Sequence, residues 1–239
     1  MIFLGSTLFQ LFFWIWTSIL AFLFLPLMFF PYAYMIWASR VWSLGVLGML
    51  RLVCGIKHEV EGWKNIPDEP VLFAFKHQSA WDTIVLPIIL PGAVAVLKYE
   101  LQIIPFYGWY LRKYGTIAID RGRGVSSLRN MRRKARAFIS SGRSLIVFPE
   151  GTRVPPGQIG ILHPGITALY TDLGIPVIPV ALNSGRLWQR RKFFRYPGTI
   201  TLKFLPPIEP GLKKREFLHQ LTNVITEAQT KIDPPKNYF

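Results

Sequence analysis

The sequence predicts an α/β fold: a mixed, mostly parallel sheet flanked by helices and preceded by an apolar N-terminal helical segment. Three observations predict it. From Val71 onward, short apolar runs alternate with segments of helical period, the order of elements expected when helices join the strands of a sheet. Those runs are short and apolar, as strands of a largely buried sheet are. Residues 1–39 contain no Asp, Glu, Lys, Arg or His, so all 28 basic and 13 acidic residues of the 239-residue chain lie from Arg40 onward.

The elements follow in order. Ile2–Leu25 supplies 24 residues before Pro26, and a helix needs ~20 apolar residues to cross a bilayer core. Pro26 and Pro31 break or kink a helix, and a second apolar stretch, Tyr32–Leu50, is interrupted by Arg40. The region reads either as a spanning hairpin or as two helices lying partly in one leaflet. Trp14, Trp16, Trp37 and Trp42 suit an interface. A secretory signal fits poorly, because no positive residue precedes the apolar run and the run is too long.

Residues 51–70, with Gly62, Pro67 and Pro70, read as a linker into a second unit. The chain then divides into 1–55, a membrane-associated helical segment, and 56–239, the α/β unit. Val71–Phe75 reads as a strand, Thr83–Leu90 as a short apolar element broken by Pro87, and Val94–Leu97 as a brief apolar run. Thr116–Ile119 is a further strand. Ser126–Ser141 reads as a helix, with Leu128, Met131, Ala135, Phe138 and Ile139 on one face and Gly142 at its end. Ser144–Phe148 is a strand stopped by Pro149. Ile166–Leu173 is a helix closed by Gly174. Val177–Leu182 and Thr199–Leu205 complete the strands, and Leu212–Ile232 ends the chain as a helix. The single Cys54 excludes an internal disulfide and a Cys-rich zinc site.

Three clusters carry candidate chemistry, each just past a strand. The first is Lys76-His77-Gln78-Ser79-Ala80-Trp81-Asp82. Histidine is suited to take a proton near neutral pH, and a carboxylate behind it can fix its tautomer. On a straight helix five residues turn through about 500°, so His77 and Asp82 meet only across a turn. A strand ending at Phe75, a turn through Gln78–Trp81 and a helix starting near Asp82 provide one. The pattern alone also fits a structural histidine. In the second cluster, Phe148–Arg153, Arg153 can grip a phosphate and Gly151 admits close backbone approach. Glu150 there can orient an arginine or a hydroxyl. A plain turn with an exposed Glu–Arg pair fits equally. The third, Gly115–Arg121, delivers Arg121 and Arg123 beyond a strand, or forms a polar loop.

Together these clusters resemble the four sequence blocks of the glycerolipid acyltransferase family, most closely its bacterial 1-acyl-sn-glycerol-3-phosphate acyltransferase branch. His77 and Asp82 match the first block, with Lys76 in place of its Asn. Gly115, Ile117, Ile119, Asp120 and Arg121 match the second, with Ala118 in place of Phe. Phe148–Arg153 matches the third in full, and Ile175–Val180 is similar to the fourth. The resemblance implies acyl transfer to a glycerol hydroxyl, with His77 as general base and Asp82 as its orienting partner. Lys98, Arg121 and Arg153 would bind the acceptor's phosphate, and Glu150, Gly151 and Thr152 would shape the acceptor site. It implies acyl-coenzyme A or acyl carrier protein as co-substrate, lysophosphatidate as acceptor, and no bound cofactor. Another lysolipid acceptor, such as a lyso-ornithine lipid, or a non-catalytic lipid-binding role, are the alternatives. There is no Gly-x-Ser-x-Gly elbow, so Ser79 reads as structural or substrate-contacting rather than as a nucleophile.

The net charge of +15 is concentrated. Residues 112–143 hold ten Lys or Arg against one Asp, and residues 186–195 hold five and no acid. Beside so apolar an N-terminus, the fitting partner is an anionic phospholipid surface rather than nucleic acid, with an acidic acyl carrier protein or the phosphates of coenzyme A as the alternative for some of these cations, and the basic body belongs on the cytoplasmic side of the inner membrane. His58, His163 and His219 read as structural or surface residues. No metal set is readable, since His77 and Asp82 make only two ligands.

Overall fold

The computed structural model describes residues 1–120, 122, 124–158 and 160–233. Helices α1 (Ile2–Leu23) and α2 (Ala33–Cys54) form an antiparallel hairpin joined by a 3₁₀ turn at Leu25–Phe29. Strand β1 (Ile56–Glu61) follows directly, then β2 (Leu72–Phe75) and two single-turn helices, α3 (Trp81–Ile84) and α4 (Leu86–Ile89). Next come β3 (Val94–Lys98), α5 (Tyr99–Gln102), α6 (Tyr107–Tyr114), β4 (Ile117–Ile119) and α7 (Gly124–Ser140). The chain continues through β5 (Leu145–Val147), α8 (Pro164–Leu173), β6 (Val177–Leu182), α9 (Ser184–Leu187), β7 (Gly198–Phe204) and α10 (Lys214–Ile232).

The strands form one sheet in the order β1-β7-β6-β2-β5-β3-β4. Every adjacent pair is parallel except β6 with β7, where Val180 opposes Phe204 and Leu182 opposes Leu202. The mixed, mostly parallel sheet is therefore as expected. The stretch 51–70 is not a linker: α2 runs to Cys54, and Ile56–Glu61 pairs along β7. It escapes a hydropathy reading because β1 is an edge strand whose Lys57, Glu59 and Glu61 face solvent.

Side chains alternate across the sheet and separate two cores. Phe73 and Phe75 face Val46, Leu47 and Leu50 of α2 and Phe9 of α1. Leu72 and Ala74 face Met131 and Ala135 of α7, Leu169 of α8 and Phe217 and Leu221 of α10. The N-terminal hairpin is thus the helical layer over one sheet face.

Helix α1 is fastened to the α/β body near both of its ends. The Ser6 hydroxyl accepts the Arg195 N–H at 3.0 Å near one end, and the Ala21 carbonyl accepts the Tyr110 hydroxyl at 2.7 Å near the other. Close packing of α1 on α2 needs Gly5, where a Cβ would stand 2.2 Å from the Val53 carbonyl oxygen. Both hairpin helices are long and apolar enough to cross a membrane. The outward face of α1, with Leu4, Leu8, Leu11, Ile15, Ile19 and Phe22, is exposed.

Candidate active site

The parallel strands β6, β2, β5, β3 and β4 all release the chain at one edge of the sheet, the position where open α/β sheets hold ligands. Because β2 lies beside β5, with Leu72 opposite Leu145, the segments after them must meet. Two backbone-anchored bonds join them. The His77 N–H donates to Glu150 Oε2 at 2.9 Å, and the Val154 N–H donates to the His77 carbonyl at 2.8 Å.

His77 and Asp82 meet across the expected turn. Asp82 sits in the first turn of α3, is fully buried, and its Oδ2 lies 2.9 Å from His77 Nδ1. That oxygen also accepts the backbone N–H groups of Gln78 at 2.7 Å and Ser79 at 2.8 Å. The Ser184 hydroxyl, just past β6, donates to Oδ1. Since Oδ2 can only accept, Nδ1 carries the proton and Nε2 is left as the acceptor. The ring packs on Phe148 at 4.1 Å between centroids. Ser79 is buried and its hydroxyl accepts the Trp81 N–H, a turn-forming role rather than a nucleophile's.

Lys76, which stands where the first block has Asn, is 3 % exposed and ion-paired with Glu150. Its ammonium also donates to the Gln158 carbonyl at 2.7 Å. Glu150 is 4 % exposed and further accepts the Gly160 N–H at 3.3 Å. This corrects the expectation for Glu150 in two ways. It is not half of an exposed Glu–Arg pair, and its carboxylate faces Lys76 and the backbone rather than the cavity. Its geometry is that of a clasp holding the His77 segment to the Arg153 segment.

A cavity of about 1220 Å³ opens in front of His77. Its lining includes His77, Lys98, Gly151, Thr152, Arg153 and Arg190. Gly151 has φ 59°, a left-handed conformation that suits glycine. Burial pushes the Arg153 guanidinium below its ordinary value, the Asp82 carboxylate opposing and Arg190 adding to it. Tyr107 lines the same cavity. Most of the lining is apolar, and it includes Leu20, Phe24 and Ala38 of the hairpin together with Leu90, Phe106 and Leu111. Phe106 is held in a strained γ-turn, with φ 60° and ψ −64° and the Tyr107 N–H on the Pro105 carbonyl at 2.7 Å. Its ring reaches Phe22 of α1 at 5.1 Å.

The fold thus brings together His77, Asp82, Lys98, Glu150, Gly151, Thr152 and Arg153, with Asp82 and Glu150 behind the cavity wall. Arg121 lies outside the described residues. His58 packs on Trp81, and burial, with Arg51, lowers its imidazole below the ordinary value. His163 lines the cavity wall, which the sequence reading missed. Ser184 and Arg190 were missed as well. Ser184's signal was its place two residues past a strand end.

A family profile described as Acyltransferase matches residues 57–183. The chain is 36 % identical over 197 residues to a 1-acyl-sn-glycerol-3-phosphate acyltransferase of Pseudomonas aeruginosa, covering 81 % of this chain and 77 % of that one. It is 33 % identical over 138 residues to a lyso-ornithine lipid O-acyltransferase of the same organism, covering 58 % of this chain and 52 % of that one. The fold is similar to the crystal structure of the 1-acyl-sn-glycerophosphate acyltransferase PlsC from Thermotoga maritima, with a TM-score of 0.75, 22 % identity and full coverage of both chains. The profile spans residues 57–183, more than half of the chain, and this protein belongs to the Acyltransferase family.

Proposed function

We propose that this chain transfers an acyl group from a thioester donor to the sn-2 hydroxyl of 1-acyl-glycerol-3-phosphate, giving phosphatidate. The observation that carries the reading is the His77–Asp82 dyad opening onto one cavity whose lining holds Lys98, Arg153 and Arg190 as well as a large apolar wall. A lysolipid with a phosphate head and a thioester with a long chain need both.

In this reading His77 Nε2 takes the hydroxyl proton as the oxygen attacks the thioester carbonyl. Asp82 stabilises the imidazolium that forms and keeps the ring oriented. The tetrahedral adduct collapses with cleavage of the C–S bond, and the departing sulfur takes the proton from His77. One C–O bond replaces one C–S bond, the proton passes from oxygen to sulfur, and no bound cofactor takes part. Arg153 and Lys98 hold the acceptor's phosphate, with Gly151 and Thr152 shaping its surroundings. Acyl-coenzyme A and acyl carrier protein both supply the required thioester.

The hairpin, in the same reading, is a monotopic anchor within residues 1–55 that serves a catalytic unit within 56–239. Both ends of α1 are hydrogen-bonded to the α/β body. A helix tied down at both ends lies along that body and presents its outward face to one leaflet. The basic body then meets anionic headgroups on the cytoplasmic side.

The test is an acceptor and donor panel. Lysophosphatidate, lyso-ornithine lipid and other lysophospholipids are each offered with acyl-coenzyme A and acyl carrier protein. Lysophosphatidate should give the highest kcat/KM. A preference for the phosphate-free lyso-ornithine lipid would replace this acceptor with the one named for the second Pseudomonas relative.

A further inference from the structure

The five cations of residues 186–195 do not share one environment. Arg186 is ion-paired with Asp233 at the end of α10. Arg195 is 5 % exposed, its guanidinium over the rings of Phe9 and Trp188 at 4.8 Å each, and it donates to Gln10 Oε1 at 2.8 Å. These two arginines pin the ends of the loop to the C-terminal helix and to α1. Between them, Arg190 and Arg191 line the cavity mouth beside Arg153, and neither has a carboxylate partner among the described residues.

Arg190 is close to the dyad. Its Nη1 donates to the Arg153 carbonyl at 3.4 Å, and the next N–H in the chain, that of Val154, donates to the His77 carbonyl. Arg191 is held at φ 60°, a left-handed conformation that costs a non-glycine residue roughly 1–2 kcal/mol. Such strain persists where the surroundings enforce it, and it clusters at binding sites. The result is a loop fixed at both ends that presents unpaired cations against a third, half-buried one.

We propose that Arg190 and Arg191 complete, with Arg153, the seat of the acceptor's phosphate, so that this loop, outside the four sequence blocks, determines the preference for a phosphate-bearing lysolipid. The inference rests on the acyl-transfer reading above. Only a few bonds separate the sn-2 oxygen from phosphorus in such an acceptor, so its phosphate must be held near His77. The phosphate of a pantetheine-linked donor stands at the far end of a long arm, beyond a site so close to the base.

The test uses the full chain carrying Arg190→Gln and Arg191→Gly. The glycine relieves the left-handed strain, so thermal stability should hold or rise and unfolding cannot mimic the effect. Rates are measured in detergent micelles and on vesicles, with lysophosphatidate and with 1-monoacylglycerol as its phosphate-free substrate or competitor. The KM for lysophosphatidate should rise about 10- to 100-fold, the size expected on removing charged hydrogen bonds to an anion. The affinity for 1-monoacylglycerol and the KM for acyl-coenzyme A and acyl carrier protein should move far less. Equal losses on both acceptors, or a rise confined to the donors, would overturn the assignment. So would a loss seen on vesicles alone, which would make the loop a bilayer contact. If the wild-type chain declines lysophosphatidate, the acceptor reading fails separately. The same comparison then runs with any phosphate-bearing lysolipid it accepts and the phosphate-free analogue.

Discussion

Between Lys76 and Asp82 the charged side chains are buried and each has named partners. Along the outward face of α1 the uncharged side chains stand open to the surroundings. The first region is polar where the protein is driest, and the second is apolar where it is most exposed. A buried charge is tolerated only when its donors and acceptors are satisfied, and here Glu150 and Asp82 are tied to both backbone and side chains. An exposed apolar face of helical length is tolerated when another apolar phase covers it. The cavity lies between the two regions and takes its character from each. Its charged lining comes from the segments at and beyond the strand ends, and part of its apolar lining from the hairpin.

The largest way to break this contrast is His77→Ala. The kcat should fall about 10²- to 10⁴-fold, the range for loss of a general base, while circular dichroism and vesicle binding stay at wild-type values. Turnover within tenfold of wild type would remove His77 as the base. Next comes Lys76→Met, which strands the Glu150 carboxylate in the interior and should cost about 3–5 kcal/mol in urea unfolding. Adding Glu150→Leu should recover much of that stability but not the activity, because the His77 N–H loses its acceptor. A single-variant cost near zero would mean the pair is solvated.

On the hairpin side, Leu11 and Ile15 are 57 % and 58 % exposed. Leu11→Gln or Ile15→Gln should weaken vesicle partitioning by about 1.5–3 kcal/mol each, the value of burying such a side chain, with no change in thermal midpoint. Unchanged partitioning would place the membrane contact elsewhere.

The smallest effect is expected from a polar cluster at the protein surface. Hydrogen bonding from Arg136 holds the Asp172 carboxyl below its usual value, with Arg132 assisting. A depressed folded-state value stabilises above the unfolded carboxylate range, and that contribution is lost as pH falls through the folded one. Asp172→Asn should therefore lower stability modestly at neutral pH, leave it little changed below the folded-state range, and so flatten the acid limb of a stability profile. An unaltered acid limb would show that these arginines contribute nothing there.

What could be read from the sequence follows the same divide. Val71–Phe75, Ser144–Phe148 and Val177–Leu182 were legible as strands because they are central and buried on both faces. β1 was not, since an edge strand half open to solvent carries no apolar run. The short helices α5 and α6 have too few turns for a period to emerge. Within the site, His77 with Asp82 and the segment Phe148–Arg153 were legible because their members are close in sequence. Ser184 was not, being 102 residues from the carboxylate it serves. Lys76 stood out as a departure from the first block, but its partner lies 74 residues away on another strand end. The basic run at 186–195 read as one patch because sequence cannot separate buried anchors from cavity cations.

In the one-leaflet placement proposed above, the fastening of α1 near both ends has a kinetic consequence. An enzyme held flat in one leaflet meets its acceptor by diffusion in two dimensions, so it responds to lysolipid mole fraction in the surface rather than to bulk molarity. At constant total lysophosphatidate, adding inert phospholipid should slow the reaction. Raising the number of vesicles of fixed composition, once all enzyme is bound, should leave its turnover unchanged. The two hydrogen bonds that fasten α1 at Ser6 and Ala21 would then set the geometry of a surface-dilution law.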